Sequence, residues 1–355
     1  MLEPVHGLMR RAITENIFPG GVLMASKADL IRFHEAYGQA NIYTGQNVSL
    51  STVFDLASLT KPLATTLAVI LLIQENKLNL DRELGTLLPG FRHTPKAKIQ
   101  VRHLLNHTSG LPDYRPYYLS LRGLPHSRRK AELRECLKNE PLISSPGEKT
   151  RYSDVGFMIL EWVMEQVSEE RLDRYVQKKI YGPLGIDELF FVDLLQPVPD
   201  RPYAATEACP WRRMVLSGMV HDDNAYAMGG IAGHAGLFGT ARAVHRLLME
   251  VLNAYNGMAS PVFQADLVRL FLKLEPGRER ALGFDTPSKE NSSSGDMFDK
   301  AATVGHLGFT GTSFWMDLNR AVAVILLTNR VHPSRKNERI KAFRPRLHNT
   351  VMKYL

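Results

Sequence analysis

The sequence predicts an α+β protein: an antiparallel five-stranded sheet flanked by terminal helices, with a mainly helical lobe inserted between the two halves of the sheet. Three observations carry this reading. Strand patterns cluster near both chain ends, as "GGVLMAS" (20–26) and "LIRFHEAYG" (30–38), then as "ATVGHLG", "TSFWMDL" and "AVAVILLTN" between 302 and 329. Helical periodicity fills the long middle. No internal repeat suggests a solenoid or propeller.

In chain order, residues 3–16 read as an amphipathic helix, and the short polar "KAD" joins the first two strands as a hairpin. From Leu59 to Glu75 the apolar positions 63, 64, 67, 68, 70, 71 and 73 cover most of a helix surface, so that helix is expected to be buried nearly all round. Further helices are predicted at "VRHLLNH", "KAELRECLKN", "VGFMILEWVMEQVS", "RLDRYVQKKI" and "ARAVHRLLMEVLNAY". Residues 185–235 are rich in Pro, Asp and Gly and read as a long surface excursion of the lid or binding-loop kind. Residues 286–300 read as a mobile polar surface loop, and a last helix from Lys341 is expected to kink or restart at Pro345. The whole reads as one domain, 1–355, with a sheet lobe (1–57 and 276–355) and a helical lobe (58–275).

Composition narrows the function classes. At 355 residues, with 44% apolar and 23% charged residues, the chain suits a soluble globular protein with a large core. The net charge of +8 favours anionic partners, but the basic residues are dispersed and form no stripe, so nucleic acid is not expected. Cys136 and Cys209 fit neither a disulfide framework nor metal-ligand spacing and read as free thiols. The first residues show no apolar signal region and no run of 18 apolar residues occurs, so a cytoplasmic protein without a membrane span is expected, although a mature form of an exported protein would read the same way.

Chemistry enters at "FDLASLTKPLATT" (54–66). Ser58 and Lys61, three apart, share a helix face, and Pro62 marks the first turn, where its missing N–H costs little. Ser58 then sits at a helix N-terminus with its own N–H unpaired, which suits a nucleophile: the amine takes the hydroxyl proton and the N–H holds an oxyanion. Spacing alone is weak support, because a serine cap beside a solvated lysine is far commoner. In "TRYSDVGF", Tyr152 and Asp154 precede an apolar helix; Tyr152 could aim its phenol at a pocket, or it could lie in a capping turn with Asp154 as N-cap. In "VGHLGFTGTSFWMD", His306 lies on a predicted strand and Gly308 permits close approach of a ligand or backbone, while a lone strand histidine is more often structural. The "HDDN" run at 221–224, with His234 beyond, lacks metal-ligand spacing and is expected to pin a loop or line a rim. His107 in "NHTSG" is expected to pin a tight turn.

Together and in this order, these motifs resemble the Ser-x-x-Lys, Tyr-x-Asn and Lys-Thr-Gly triplets of the serine β-lactamases and penicillin-binding proteins. "FDLASLTKPL", "VRHLLNHTSGLP", "PGEKTRYSDVGF", "GGIAGHAGLFGTA", "GHLGFTGTSFWMD" and "LLTNRVHP" resemble landmarks of the branch that holds class C β-lactamases, family VIII esterases, D-aminopeptidases and DD-peptidases, over nearly the whole chain. The resemblance implies a β-lactamase/transpeptidase-like fold in a single catalytic domain that needs neither cofactor nor metal. It implies Ser58 as the acylated nucleophile, Lys61 as base or proton relay, and Tyr152 as the group that protonates the leaving group and later activates water. The oxyanion hole would be the N–H groups of Ser58 and Phe309, and Asp154, His306 and Gly308 would contact substrate.

Two positions depart from the pattern. Asp154 replaces the family's asparagine; a carboxylate only accepts hydrogen bonds, and facing Lys61 it would raise the lysine pKa. His306 replaces the lysine that supplies permanent positive charge, and a histidine is mostly neutral at pH 7 unless its surroundings protonate it. Both changes argue against β-lactam binding. The expected function is a serine hydrolase acting through an acyl-enzyme on esters or amides of small or D-amino-acid-containing substrates, with small molecules or short peptides as its partners. A class C-like β-lactamase or DD-carboxypeptidase is the alternative, and a silent binding protein on the same fold the second.

Overall fold

The structure is a computed structural model that describes residues 3–355. β1 (Gly20–Lys27) and β2 (Leu30–Asn41) form the expected hairpin, and β3 (Gln46–Asn47) adds a short edge beyond it. In the inserted region β4 (Phe54–Asp55), β5 (Leu189–Phe191) and β8 (Leu237–Gly239) make a small sheet, and β6 (Ala208–Cys209) pairs with β7 (Met214–Val215). β9 (Thr303–Leu307), β10 (Ser313–Asp317) and β11 (Val322–Thr328) complete the main sheet in the order β3-β2-β1-β11-β10-β9. The main sheet therefore has six strands rather than five. The extra one is two residues long and exposed, too short for a pattern of alternation.

Both faces of the sheet are covered. Val22, Met24, Phe314, Met316, Ile325 and Leu327 pack toward the helical lobe. Their neighbours Leu23, Trp315, Val324 and Leu326 pack under the terminal helices Glu3–Thr14 and Ile340–Tyr354. With apolar residues wanted on both sides, the central strands read as unbroken apolar runs. The C-terminal helix starts at Ile340 and continues through Pro345 without a restart.

The helical segment Ala57–Gln74 crosses the core with 83% of its length buried, which explains a hydropathy high enough for a membrane span. It is not a regular α-helix throughout. A 3₁₀ turn (Ala57–Leu59) leads into a π turn (Lys61–Thr66) holding Pro62, and α geometry begins at Leu67. Such widened turns recur at functional sites.

Two loop expectations are corrected. The 185–235 segment is not a surface excursion, since Tyr203–Thr206, Val220, His221 and Asp223–Ala225 are buried. Buried polar side chains tie it inward: Asn224 accepts from Tyr118 N at 2.9 Å and donates to Arg115 O at 2.9 Å. The 286–300 loop is likewise anchored, with Ser292, Ser294 and Phe298 buried. The Nδ1 atom of His348 lies 2.7 Å from Ser293 O, and Asn349 Oδ1 accepts from Asp296 N at 2.7 Å.

Candidate functional site

The site begins at a strained turn. The buried carboxylate of Asp55, at the end of β4, accepts the N–H groups of Ala57 (2.8 Å) and His221 (2.6 Å). This holds Ala57 in the left-handed region at φ 48°, a conformation that costs energy in a non-glycine residue and is retained where surroundings enforce it. Ser58 follows, and its N–H has no acceptor among the described residues. The loop after β9 is fastened to the same turn. The Thr310 hydroxyl donates to Asp55 O at 2.7 Å and that of Thr312 to Leu56 O at 3.0 Å. A Cβ on Gly308 would come within 2.7 Å of Leu56 O, so this approach requires glycine. Phe309 N also has no acceptor among the described residues, so two unpaired donors lie beside the Ser58 hydroxyl.

Lys61 is fully buried; its ammonium donates to Ser58 Oγ at 3.1 Å and His234 O at 3.0 Å and forms an ion pair with Asp154 Oδ1 at 2.7 Å. The Tyr152 ring centroid lies 4.9 Å from Nζ. Burial works against the charge, but Asp154 and Tyr152 outweigh it, and the lysine pKa is raised. In this state Lys61 is a donor to Ser58.

Tyr152 is set by His107. The His107 carbonyl accepts Arg151 N (2.8 Å), its Nδ1 accepts Ser153 N (3.0 Å), and its ring lies 4.6 Å from the Tyr152 ring. The turn that His107 pins therefore carries Tyr152. Burial raises the phenol's pKa, and Lys61 and Ser58 beside it oppose the rise. Ser153, not Asp154, caps the helix Asp154–Ser168, accepting from Gly156 N at 3.0 Å. Asp154 is thereby freed to face Lys61.

His306 stands opposite Phe314 on the edge strand β9, 1% exposed, with its ring 5.9 Å from that of Tyr152. Burial, then Lys61 and Arg280, push its pKa well below the ordinary value. The lowered pKa keeps the imidazole uncharged at neutral pH, so it does not supply the permanent charge of the family's lysine. Permanent charge comes instead from residues the sequence reading missed. Arg280 and Arg344 line, with Ser58, Tyr152, His306 and Phe309, a cleft of about 370 Å³. Burial and then Arg330 lower Arg344 to about 9, which leaves it charged at neutral pH. It donates to Thr312 O at 2.8 Å, and its Nε has no partner among the described residues. Neither arginine lies in a sequence motif.

The 221–224 run forms ties. Asp222 caps the turn of helix Asp223–Ala227 and meets His234 Nε2 at 2.9 Å, while Asp223 pairs with Arg212 (2.7 Å) and Arg335 (3.0 Å). Burial opposes the His234 charge, but Asp222 raises its pKa overall.

Several other imidazoles are held neutral by burial, His245 and His348 at about 4, and His107 well below the ordinary value. Their folded pKa lies below the unfolded one of about 6.5, so below pH 6.5 the unfolded chain binds more protons. Stability should therefore fall as pH drops from 6.5 toward 4, with His234 acting in the opposite sense. Urea titrations at pH 7 and pH 5 test this: the midpoint should be lower at pH 5. An unchanged or higher midpoint would mean that these imidazoles are protonated in the fold.

The chain resembles several known proteins over most of its length. A protein of Escherichia coli (strain K12), bearing a provisional D-alanyl-D-alanine carboxypeptidase name, is 32% identical over 356 residues, which cover 91% of this chain and 82% of the relative. The solved structure of EstCE1, a hydrolase with promiscuous acyltransferase activity, superposes with a TM-score of 0.75 at 23% identity, covering 97% of this chain and 98% of that one. The octameric penicillin-binding protein homologue from Pyrococcus abyssi superposes with a TM-score of 0.74 at 18% identity, over 96% of this chain and 76% of that one. At such identities the structural likenesses speak for the fold. The family model described as Beta-lactamase matches residues 5–344, so the chain belongs to the beta-lactamase family and is a serine hydrolase.

Proposed function

We propose that the protein works through an acyl-enzyme on Ser58, with esters or amides of small or D-amino-acid-containing molecules as substrates. The observation that carries this reading is the buried Lys61, which joins Ser58 Oγ and Asp154 while Tyr152 covers it. Ser58 Oγ attacks the carbonyl carbon, and the oxyanion is received by the N–H groups of Ser58 and Phe309. The bond to the leaving group breaks, and the Ser58 proton reaches that group by way of Lys61 and Tyr152. Water then attacks the acyl carbonyl carbon, and its proton passes by way of Tyr152 and Lys61 to Ser58 Oγ as the acyl–oxygen bond breaks. Asp154, His306 and Gly308 face the substrate and shape its seat.

A second reading, a DD-carboxypeptidase, is favoured by Arg344. Its charged, partly unsatisfied guanidinium in the cleft suits a terminal carboxylate, and the E. coli relative bears that activity's name. The neutral His306 disfavours a penicillin-type site that relies on a strand cation.

The test is labelling with a fluorophosphonate probe, read by peptide mass spectrometry, alongside turnover of p-nitrophenyl acetate, nitrocefin and a D-alanyl amide. One adduct on Ser58 is expected, with labelling and turnover both absent in Ser58→Ala. An adduct on another serine, or turnover that survives in Ser58→Ala, overturns the mechanism.

A further inference from the structure

Next to the Ser58 cleft lies a second cavity of about 660 Å³. The two share Arg280, Asp285 and Leu307, so they are neighbours across a thin partition. Successive residues of β9 face opposite sides of the sheet. His306 lines the Ser58 cleft with its ring 5.9 Å from that of Tyr152, while Leu307 packs with the core under the terminal helices, as does Trp315 in the second cavity. The second cavity therefore lies around the edge of β9 from the nucleophile. That edge is closed at Gly305, which exchanges two 2.8 Å hydrogen bonds with Asp285. β9 is the last strand of its sheet, and no strand covers Leu307 on that side among the described residues.

The lining of this cavity has a definite chemistry. Arg278, Arg280 and Lys289 bring three cations against the carboxylates of Glu279 and Asp285, and Asp285 is already paired with Arg280. Neither Arg278 nor Lys289 has an acidic partner among the described residues. The Trp315 indole N–H is buried without an acceptor, although Trp315 is only 2% exposed. A buried donor of this kind costs stability unless something supplies an acceptor. Ser288 and Ser292 also line the cavity, the Ser292 hydroxyl lying 2.7 Å from that of Ser294. The volume is that of a small-molecule site. Arg280 stands at the partition: its guanidinium lies 5.2 Å from the Tyr152 ring centroid on one side and pairs with Asp285 on the other.

From this arrangement we infer that the second cavity is a substrate subsite that receives an anionic arm of an elongated substrate whose carbonyl is at Ser58. The arm passes Leu307 at the edge of β9 and places a carboxylate among Arg278, Lys289 and the Trp315 indole. This inference rests on the acyl-enzyme reading above and adds a substrate class to it: esters or amides with a carboxylate several bonds from the reacting carbonyl.

The experiment measures kcat/KM for two ester series. In one the acyl chain ends in a carboxylate or its methyl ester, from succinyl to suberyl p-nitrophenyl esters. In the other, acetyl esters carry the same arms on the alcohol side. The longer carboxylate arms should exceed their methyl-capped counterparts by about tenfold or more in one series, the scale of a charge-assisted contact. Ser288→Trp, which fills the cavity from an exposed position, should erase that gain and leave p-nitrophenyl acetate turnover unchanged. Arg278→Gln and Lys289→Gln should reduce the gain without bulk, and they serve if the tryptophan variant does not fold. No gain in either series, or a gain that survives these substitutions, overturns the subsite. Ser58-dependent turnover of the acetate ester in the same assay keeps the two questions apart: its absence counts against the acyl-enzyme, and its presence without a carboxylate gain counts against the subsite alone.

Discussion

Tyr152→Phe is expected to lower kcat/KM for a neutral ester by about 10²–10⁴-fold, the usual range for removing a positioned proton-transfer group. The reason lies in the lysine. The Lys61 ammonium is held by an ion pair with Asp154 and by hydrogen bonds to His234 O and to Ser58 Oγ itself. A donor to the Ser58 hydroxyl cannot accept its proton until it has lost one of its own. The phenol of Tyr152 interacts with both Lys61 and Ser58, so it is placed to relay that proton. Phenylalanine keeps the ring against His107 and over the Lys61 ammonium and deletes only the oxygen. The melting temperature should stay within a few degrees of wild type, which separates lost chemistry from lost fold. A variant that kept a third or more of the wild-type rate with p-nitrophenyl acetate would remove Tyr152 from the proton path.

The parts of this site that could be read from sequence are those fixed by local geometry. Ser58 and Lys61 are three residues apart, and that spacing alone puts them in reach. Tyr152 directly precedes the helix that presents Asp154. Parts that depend on distant segments could not be read. The third acceptor of Lys61 is the carbonyl of His234, far along the chain and shown by no side-chain pattern. Whether Ser153 or Asp154 caps the helix depended on which had a better partner elsewhere, and Lys61 claimed Asp154. The charge of His306 was undecided because an imidazole's state follows burial and neighbouring cations, which only the folded chain sets. Pro- and Gly-rich composition suggested a surface for 185–235, yet side chains such as Asn224 and Asp223 find buried partners that let the segment pack inward. The fold class survived these misses because strands at both chain ends leave few ways to form one sheet.

Asp154→Ala is expected to destabilise the protein by about 3–5 kcal/mol at neutral pH, the cost of leaving one member of a buried pair uncompensated. The 19% exposure of the Asp154 side chain favours the lower end. The pH dependence distinguishes this from a simple loss of packing. In the wild type the folded pKa of Lys61 is raised above the unfolded value of about 10.4. Its contribution is therefore fully present below that value and is lost as pH climbs through the folded pKa. Without Asp154, burial becomes the dominant influence and carries the folded pKa below the unfolded one. The penalty is then complete at pH values under the lowered pKa and fades as pH rises toward about 10.4. Urea denaturation from pH 6 to pH 10 should show the gap between wild type and Asp154→Ala narrowing as pH increases. Asp154→Asn retains a hydrogen-bond acceptor for Lys61 and should fall between the two in stability. Its rate profile carries the mechanistic information. A weaker hold on the ammonium lets Lys61 shed its proton at lower pH, so the rising acid limb of kcat/KM for a neutral ester should move to lower pH than in wild type. A limb that stays in place while Tyr152→Phe removes it would assign that titration to the phenol. Equal stability of Asp154→Ala and wild type across the range would mean that the Lys61–Asp154 contact does not hold the buried charge.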